Sequence, residues 1–454
     1  MTMTTAALRE MARNLFIQSL ADCSVERTFA RLVRVSGRRL VIDDTEAIDL
    51  ERVKRLRVVA VGKASAAMLG ALLGRLKGLP DDVAGVLIAG EEPADLPPGF
   101  QFFAGGHPLP NEASQAGARA ALEMLHGLRH EEEEAAGTLC LFLISGGGSA
   151  MMELPLDPSI TLAEMRNFHR ELVHSGASIA EINCVRKHFS AVKGGRLVMA
   201  AGGATTLSLL VSDVPPGHLD ALASGPTLPD SSTVDQCREI LARYELQGRF
   251  PVSVRRFFER RDLPETPKPG SFEARAVTLL SSDELAEVAR TRAEGLGFHA
   301  VIDNTCDDWD YKAAAEYLVG RLRSLRRVHP RACLISSGEL TVKLSSVAAD
   351  PGSIGVGGRN QHFSLYAATL LEPSDAAMVV LSAGSDGIDG NSPAAGAMVD
   401  EGTLRLDARY GDAAARKSLH EFDSHRFLAQ LGATIVTGAT GNNLRDLRIL
   451  LAAN

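Results

Sequence analysis

The sequence predicts an α/β protein of two domains flanking a cleft, and three observations carry the prediction. The chain has 454 residues, too many for one ordinary core. Strand-length apolar runs alternate with helix-forming stretches, the pattern of a parallel sheet with helices on its faces. Several of these runs stop abruptly in Gly, Ser, Asp or Thr, as strands do when their carboxyl ends build a ligand site. The expected layout is an N-terminal Rossmann-like parallel sheet in residues 1–250 and a C-terminal mixed sheet in 251–454, divided near the Arg- and Pro-rich stretch 248–272.

Taken in order, residues 5–34 read as helix, with Leu8, Met11, Leu15 and Leu20 spaced for one buried face. Arg57 to Val61 is the first strong strand and runs into Gly62-Lys63-Ala64-Ser65 and a helix-forming stretch. A lysine at such a corner can meet a phosphate as a mobile point charge, although most lysines are simply solvated. Val83 to Ala89 is a second strand. The loop 104–113 is fixed by two glycines and two prolines, with Asn111 as cap of a helix over 112–129; His107 can contact a ligand there, although a structural hydrogen bond is the favoured reading. Glu131 to Glu134 reads as a solvated loop.

The most informative stretch is Leu139 to Ile144, an unbroken apolar run that meets Ser145, Gly146, Gly147, Gly148 and Ser149. Such a run suits a strand covered on both faces. Three successive glycines suit either a tight turn or a cradle for phosphate or carboxylate, the latter aided if a helix starts near Ser149. No Gly-Lys-Ser/Thr follows, so this is not a Walker A loop.

Residues 161–200 are helical, and Asn183, Arg186 and Lys187 share a helix face, with Lys193 and Arg196 beyond. A basic face in an acidic protein suits an anionic substrate; the plain alternative is a solvated face. Thr205 to Val211 is a strand ending at Asp213, whose carboxylate could hold Mg²⁺, take a proton from a hydroxyl, or cap a turn. The Pro/Gly-rich segment 215–229 forms a rigid loop beside the site.

In the C-terminal half the expected strands are 276–281, 298–303, 331–336, 339–344, 377–383 and 433–437. The alternation in Glu339-Leu-Thr-Val-Lys-Leu marks an antiparallel strand and makes the second sheet mixed. Arg359 stands on the glycine-rich loop 355–361, where its planar fork can clamp a phosphate, with Asn360 beside it. The segment 381–390 carries Asp386 and Asp389 without EF-hand spacing. The loop 436–444 is expected to precede a helix.

Composition narrows the function. The net charge is −8 and there is no long basic tract, which argues against nucleic acid as the main partner. The six cysteines are scattered with no CxxC pair, the usage of reduced cytoplasmic thiols. The first residues show no signal-peptide core, and no apolar stretch is long enough to span a membrane.

Seven motifs stand in a fixed order: V-G-K-A-S, S-G-G-G-S-A, N-x-V-R-K-H-x-S-A-V-K-G-G-R-L, V-S-D-V-P, A-S-G-P-T, G-G-R-N-Q and S-A-G-S-D-G-I-D-G. Together they resemble the glycerate 2-kinase family, which carries a MOFRL domain in its C-terminal half and is often labelled hydroxypyruvate reductase. The resemblance runs from about residue 5 to the C-terminus. It implies ATP-dependent phosphorylation of D-glycerate at the 2-hydroxyl, with Mg²⁺. It also implies catalytic roles for Lys63, Asp213 and Arg359, and phosphate or substrate contacts for Ser145 to Ser149, Arg186, Lys193 and Asn360. Asp213 and Asp386 are the candidate metal ligands. The partners expected are small molecules, and a homo-oligomer is compatible with them. The chain departs from the family pattern at His362, Asn391 to Pro393, Ser337 and Ala439, none of them a proposed catalytic residue. A reductase is the first rival, but no G-x-G-x-x-G follows a strand. A non-catalytic metabolite-binding protein is the second; the presence of Lys63, Asp213 and Arg359 together argues against it.

Overall fold

The computed structural model describes residues 3–77, 80–128, 135–215, 217–343, 355–375, 377–405 and 411–453; the Glu131–Glu134 run lies outside them. By its contacts the chain divides into two units, Val25–Leu279 and Met1–Ser24 together with Leu280–Asn454. This differs from the division expected at 250/251 in two ways. The segment 251–279 belongs to the first unit, because Phe257 and Phe258 bury into an aromatic cluster with Phe168 and Phe189. Arg and Pro on the surface of that segment read as a linker, while its phenylalanines hold it in a core. The single helix expected over 5–34 is broken at Cys23-Ser24, and its first part, Thr5–Asp22, packs with the other unit.

In the unit Val25–Leu279, a small antiparallel sheet of β1 (Val33–Ser36), β2 (Arg39–Ile42) and β3 (Glu46–Asp49) precedes the main one. The main sheet contains β4 (Arg55–Val61), β5 (Asp82–Ala89), β6 (Phe100–Ala104), β7 (Thr138–Ser145), β8 (Thr205–Val211) and β9 (Ala276–Leu280). Its order is β6-β5-β4-β7-β8-β9, with parallel pairing from β6 through β8. This is the strand order of a Rossmann sheet, in which the connection reverses between the two central strands. Here those strands are β4 and β7, and the register pairs Val61 with Ile144. Gly62-Lys63 and the Ser145 glycine run therefore leave the sheet side by side at the switch point. All residues of β7 are buried, which accounts for its unbroken apolar run.

The other unit holds β10 (His299–Ile302), β11 (Arg331–Gly338), β12 (Met378–Gly384), β13 (Gly396–Asp400), β14 (Thr434–Ile435) and β15 (Asp446–Ala453), in the order β10-β11-β15-β12-β13-β14. Only β10 and β11 pair in parallel, so the sheet is mixed as expected. The cause is β15, which runs antiparallel between β11 and β12. The strand expected at 339–344 is absent among its described residues, where Thr341 makes one isolated bridge to Asp310. The helix expected after 436–444 is β15 itself. Its Leu, Arg and Ala favour helix in isolation, but every one of its residues is buried between two strands, and that context overrides propensity. The helix Thr5–Asp22 lies against β12 and β15.

Candidate active site

Each of the two leading glycines after β7 makes room for a group from a different strand end. A Cβ on Gly146 would lie 2.0 Å from Asp213 Oδ2, so only glycine lets that carboxylate rest on the loop. Gly147 has φ +82°, and a Cβ there would meet the Lys63 side chain at 3.2 Å and His107 Nδ1 at 3.6 Å. The loop is tied to the neighbouring corner by Lys63 N–H donating to Gly146 O at 2.9 Å and Ala64 N–H donating to Ser145 Oγ at 3.0 Å. Ser145 is thus spent on holding the two corners together. The helix beginning near Ser149 is one turn, Gly148–Met151, too short to lend a dipole to an anion. Any positive charge must come from side chains instead.

Those side chains surround a cavity of about 280 Å³ whose walls include His107, Ser149, His169, Arg186 and Asp213. That is close to the lower end of small-ligand sites, roughly 300–1,000 Å³. Arg186 is half-buried, and its Nε is a buried donor with no hydrogen-bond partner among the described residues. A buried guanidinium edge facing a cavity is a ready partner for a ligand oxygen. His107, expected to serve the loop, instead lines the cavity. Burial, and then the nearby Lys63 ammonium, lower its pKa and favour the neutral ring.

The other basic residues of this region are committed elsewhere. Lys193 is buried and donates to Glu153, whose Oε2 also lies 3.1 Å from His169 Nε2. Burial pushes the Glu153 carboxyl up, but Lys193 and His169 outweigh it and hold the pKa at about 2. Lys193 is therefore committed to Glu153 and is absent from the cavity wall, which differs from the substrate contact expected of it. Lys187 reaches Asp220 at 2.8 Å and Asp230 at 3.2 Å. Of the basic residues expected on one helix face, only Arg186 lines the cavity. Sequence reasoning passed over Glu153 and His169; the signal was a lone acid inside the apolar run Met151-Met152-Glu153-Leu154.

In the other unit, the register sets Gly338 of β11 and Gly384 of β12 against Asp446, the first residue of β15. Arg359 opens the helix Arg359–Leu370 and donates through Nε to Asp446 at 2.6 Å and through Nη2 to Glu339 at 2.8 Å. Burial, with Asp446 nearby, raises the Glu339 pKa despite Arg359. Beside them Arg445 forks onto Asp307 with two 2.7 Å bonds. Asn360, expected to contact phosphate, is buried; it accepts from Ser382 Oγ at 2.6 Å and donates to Asp389. Its work is structural. Asp389 accepts from the backbone N–H groups of Asn360 and Gln361 and so caps that helix from another loop. Burial raises its pKa to about 6. Asp386 Oδ1 accepts from Ile388 N–H at 3.0 Å within its own turn. A larger cavity of about 350 Å³ in this unit lies among Tyr311, Tyr366, Phe422 and Arg416, and none of the candidate site residues named from the sequence lines it.

Among the described residues no three His, Cys, Asp or Glu side chains converge as a metal site. Mg²⁺ is commonly held by one or two carboxylates together with phosphate oxygens and water, and Asp213, half-buried at the end of β8, suits that donor chemistry. No helix among the described residues is long and apolar enough to cross a membrane.

Comparison with known proteins decides the family. Residues 11–259 match a domain of unknown function, DUF4147, and residues 332–446 match the MOFRL family. The chain is 34% identical to the D-glycerate 2-kinase of Thermotoga maritima, over 95% of this chain and 98% of that protein. It is 31% identical to the glycerate 2-kinase of Pyrococcus horikoshii, over 98% of each. A crystal structure of the Thermotoga maritima glycerate kinase superposes with a TM-score of 0.83 at 31% identity, covering 99% of this chain and all of that one. The chain belongs to the glycerate 2-kinase family. Within it, the DUF4147 match contains Lys63, the glycine run, Arg186 and Asp213, and the MOFRL match contains Glu339, Arg359 and Asp446.

Proposed function

We propose that the protein transfers the γ-phosphoryl group of ATP to the 2-hydroxyl of D-glycerate. The observation that carries this reading is the gathering of Lys63, Arg186 and Asp213 around one glycine loop at the switch point of the sheet, in a chain of the glycerate 2-kinase family. Phosphoryl transfer asks a protein mainly to position its reactants and to offset charge. Arg186 offers its buried edge to the glycerate carboxylate. Asp213 orients the 2-hydroxyl and accepts its proton as the oxygen–phosphorus bond forms and the bond from the γ-phosphorus to the ADP oxygen breaks. Lys63 answers negative charge on the phosphates, while Arg359 keeps the catalytic role that the family resemblance implies, held within its own unit by Asp446 and Glu339. Mg²⁺, with Asp213 as its protein ligand, would supply further charge neutralisation. Asp386, already used within its turn, is the weaker metal ligand. We place the enzyme in the cytoplasm, where its six buried cysteines stay as thiols, and leave a homo-oligomer to be read by light scattering.

The test is ³¹P NMR of the protein with D-glycerate, ATP and Mg²⁺. Formation of 2-phosphoglycerate, abolished by Lys63→Ala, supports the proposal. Formation of 3-phosphoglycerate would keep the kinase and refute the assignment of Asp213 to the 2-hydroxyl. Oxidation of NADH or NADPH by hydroxypyruvate without ATP use would overturn the proposal in favour of a reductase.

A further inference from the structure

Ser149 stands on the cavity wall, and its hydroxyl is in contact with a second hydroxyl behind it. Its Oγ lies 2.7 Å from Ser224 Oγ. Ser224 is fully buried, and its own hydroxyl donates to Asn183 Oδ1 at 3.0 Å. A hydroxyl has one hydrogen to give. Ser224 has given its hydrogen to Asn183, so the hydrogen between the two serines must come from Ser149. Two hydroxyl oxygens at that distance without one would place lone pair against lone pair.

The arrangement is built in and not incidental. Ala223 and Ser224 both adopt left-handed backbone, with φ +50° and +59°, a conformation that residues other than glycine hold only when their surroundings impose it. Gly194 N–H donates to Ser224 O at 3.1 Å, and Gly195 N–H donates to Gly225 O at 2.8 Å. The K-G-G-R and A-S-G-P-T motifs are thereby stitched together, and Asn183 approaches from the helix Ile179–Phe189. Gly148 contributes by its lack of a side chain, since a Cβ there would lie 2.9 Å from the Ala223 methyl.

We propose that the chain Ser149 to Ser224 to Asn183 fixes Ser149 as a hydrogen-bond acceptor, and that it selects the substrate by receiving a hydrogen bond from the 3-hydroxyl of glycerate. A serine whose hydrogen is committed turns only lone pairs towards the cavity, and these repel a phosphate or carboxylate oxygen. Ser149 is therefore not part of an anion cradle. The inference rests on the activity proposed above in one respect: with the 2-hydroxyl assigned to Asp213, the donor left on glycerate is the 3-hydroxyl. Ser149 touches substrate; Ser224 and Asn183 are positioning residues that act through it.

The experiment compares calorimetric affinities of the intact protein for D-glycerate, D-lactate and 3-fluoro-D-lactate, with phosphorylation of each followed in parallel. Lactate lacks the 3-hydroxyl; the fluoro acid keeps a polar atom of similar size that cannot donate. The wild-type protein is expected to bind D-glycerate about 10- to 100-fold more tightly than either analogue, the span of one good hydrogen bond to a buried acceptor. Ser149→Ala should erase that preference. Ser224→Ala should reduce the preference without altering D-lactate affinity, an effect that a merely structural lesion would not confine to one ligand. Tight binding of the fluoro acid by wild type would identify Ser149 as a donor and overturn the relay, with no variant needed. An unchanged glycerate-to-lactate ratio in Ser149→Ala would also overturn it. Selective D-glycerate binding without phosphorylation would refute the activity and leave the acceptor role standing.

Discussion

Glu153 shows how a buried acid supports the site without entering it. Its pKa is depressed from 4.5 to about 2. A depressed acid contributes stability that is present above its unfolded pKa and lost as pH falls through the folded one. For Glu153 the window runs from 4.5 down to about 2. Glu153→Gln leaves Lys193 buried without its counter-charge, which costs on the order of 3–5 kcal/mol. We expect a large drop in the urea midpoint at pH 7 and a weaker loss of midpoint across that acid window than in wild type. Gly146→Ala is a test of a different kind. The added methyl would overlap Asp213 Oδ2, whereas Lys63, Arg186 and the sheet are not directly displaced. Phosphoryl transfer should fall by about 100-fold or more through misplacement of Asp213, with the thermal midpoint little changed. Equal losses of activity and stability would argue that the clash unfolds the loop.

At the scale of elements, the strand ends matter more than the helices. Lys63, the glycine run and Asp213 follow β4, β7 and β8, three neighbouring parallel strands. Their side-by-side register, set by hydrogen bonds along the whole sheet, is what brings the three loops together. In the other unit β15 plays the organising part, since its first residue, Asp446, receives Arg359. Leu450 lies at the middle of that strand and is fully buried. Leu450→Ala is expected to cost about 2–5 kcal/mol, read by chemical denaturation. Amide hydrogens of β15 should be among the slowest to exchange in their unit, because the strand is paired on both sides.

At the scale of the whole molecule, the chain returns on itself. The helix Thr5–Asp22 belongs with residues from Leu280 onward, and Asn442 Nδ2 donates to Cys23 O at 2.8 Å. Removing residues 1–24 should therefore expose β12 and β15 in the C-terminal unit. Limited proteolysis should find the new cleavage there and not in Val25–Leu279. A truncated chain that cleaves first in the N-terminal unit would contradict this division.

The sequence by itself determined the parallel sheet, the corners at Lys63, Ser145 and Asp213, and the family, because these are local: an apolar run is legible where both faces of a strand are covered, and a glycine run where backbone must pass close to a neighbour. It could not tell which polar residues face the cavity. Arg186 and Lys193 read alike in one basic stretch, yet one lines the cavity and the other is buried against Glu153. Asn360 reads as a ligand beside Arg359 and is spent on Ser382 and Asp389. Those outcomes depend on partners distant in the chain: Lys193 meets Glu153 40 residues away, and Asn360 meets Ser382 22 residues away. Tertiary packing also decided that a Leu- and Ala-rich C-terminus is a central strand, since burial between two strands outweighs a helix preference of under about 1 kcal/mol per residue.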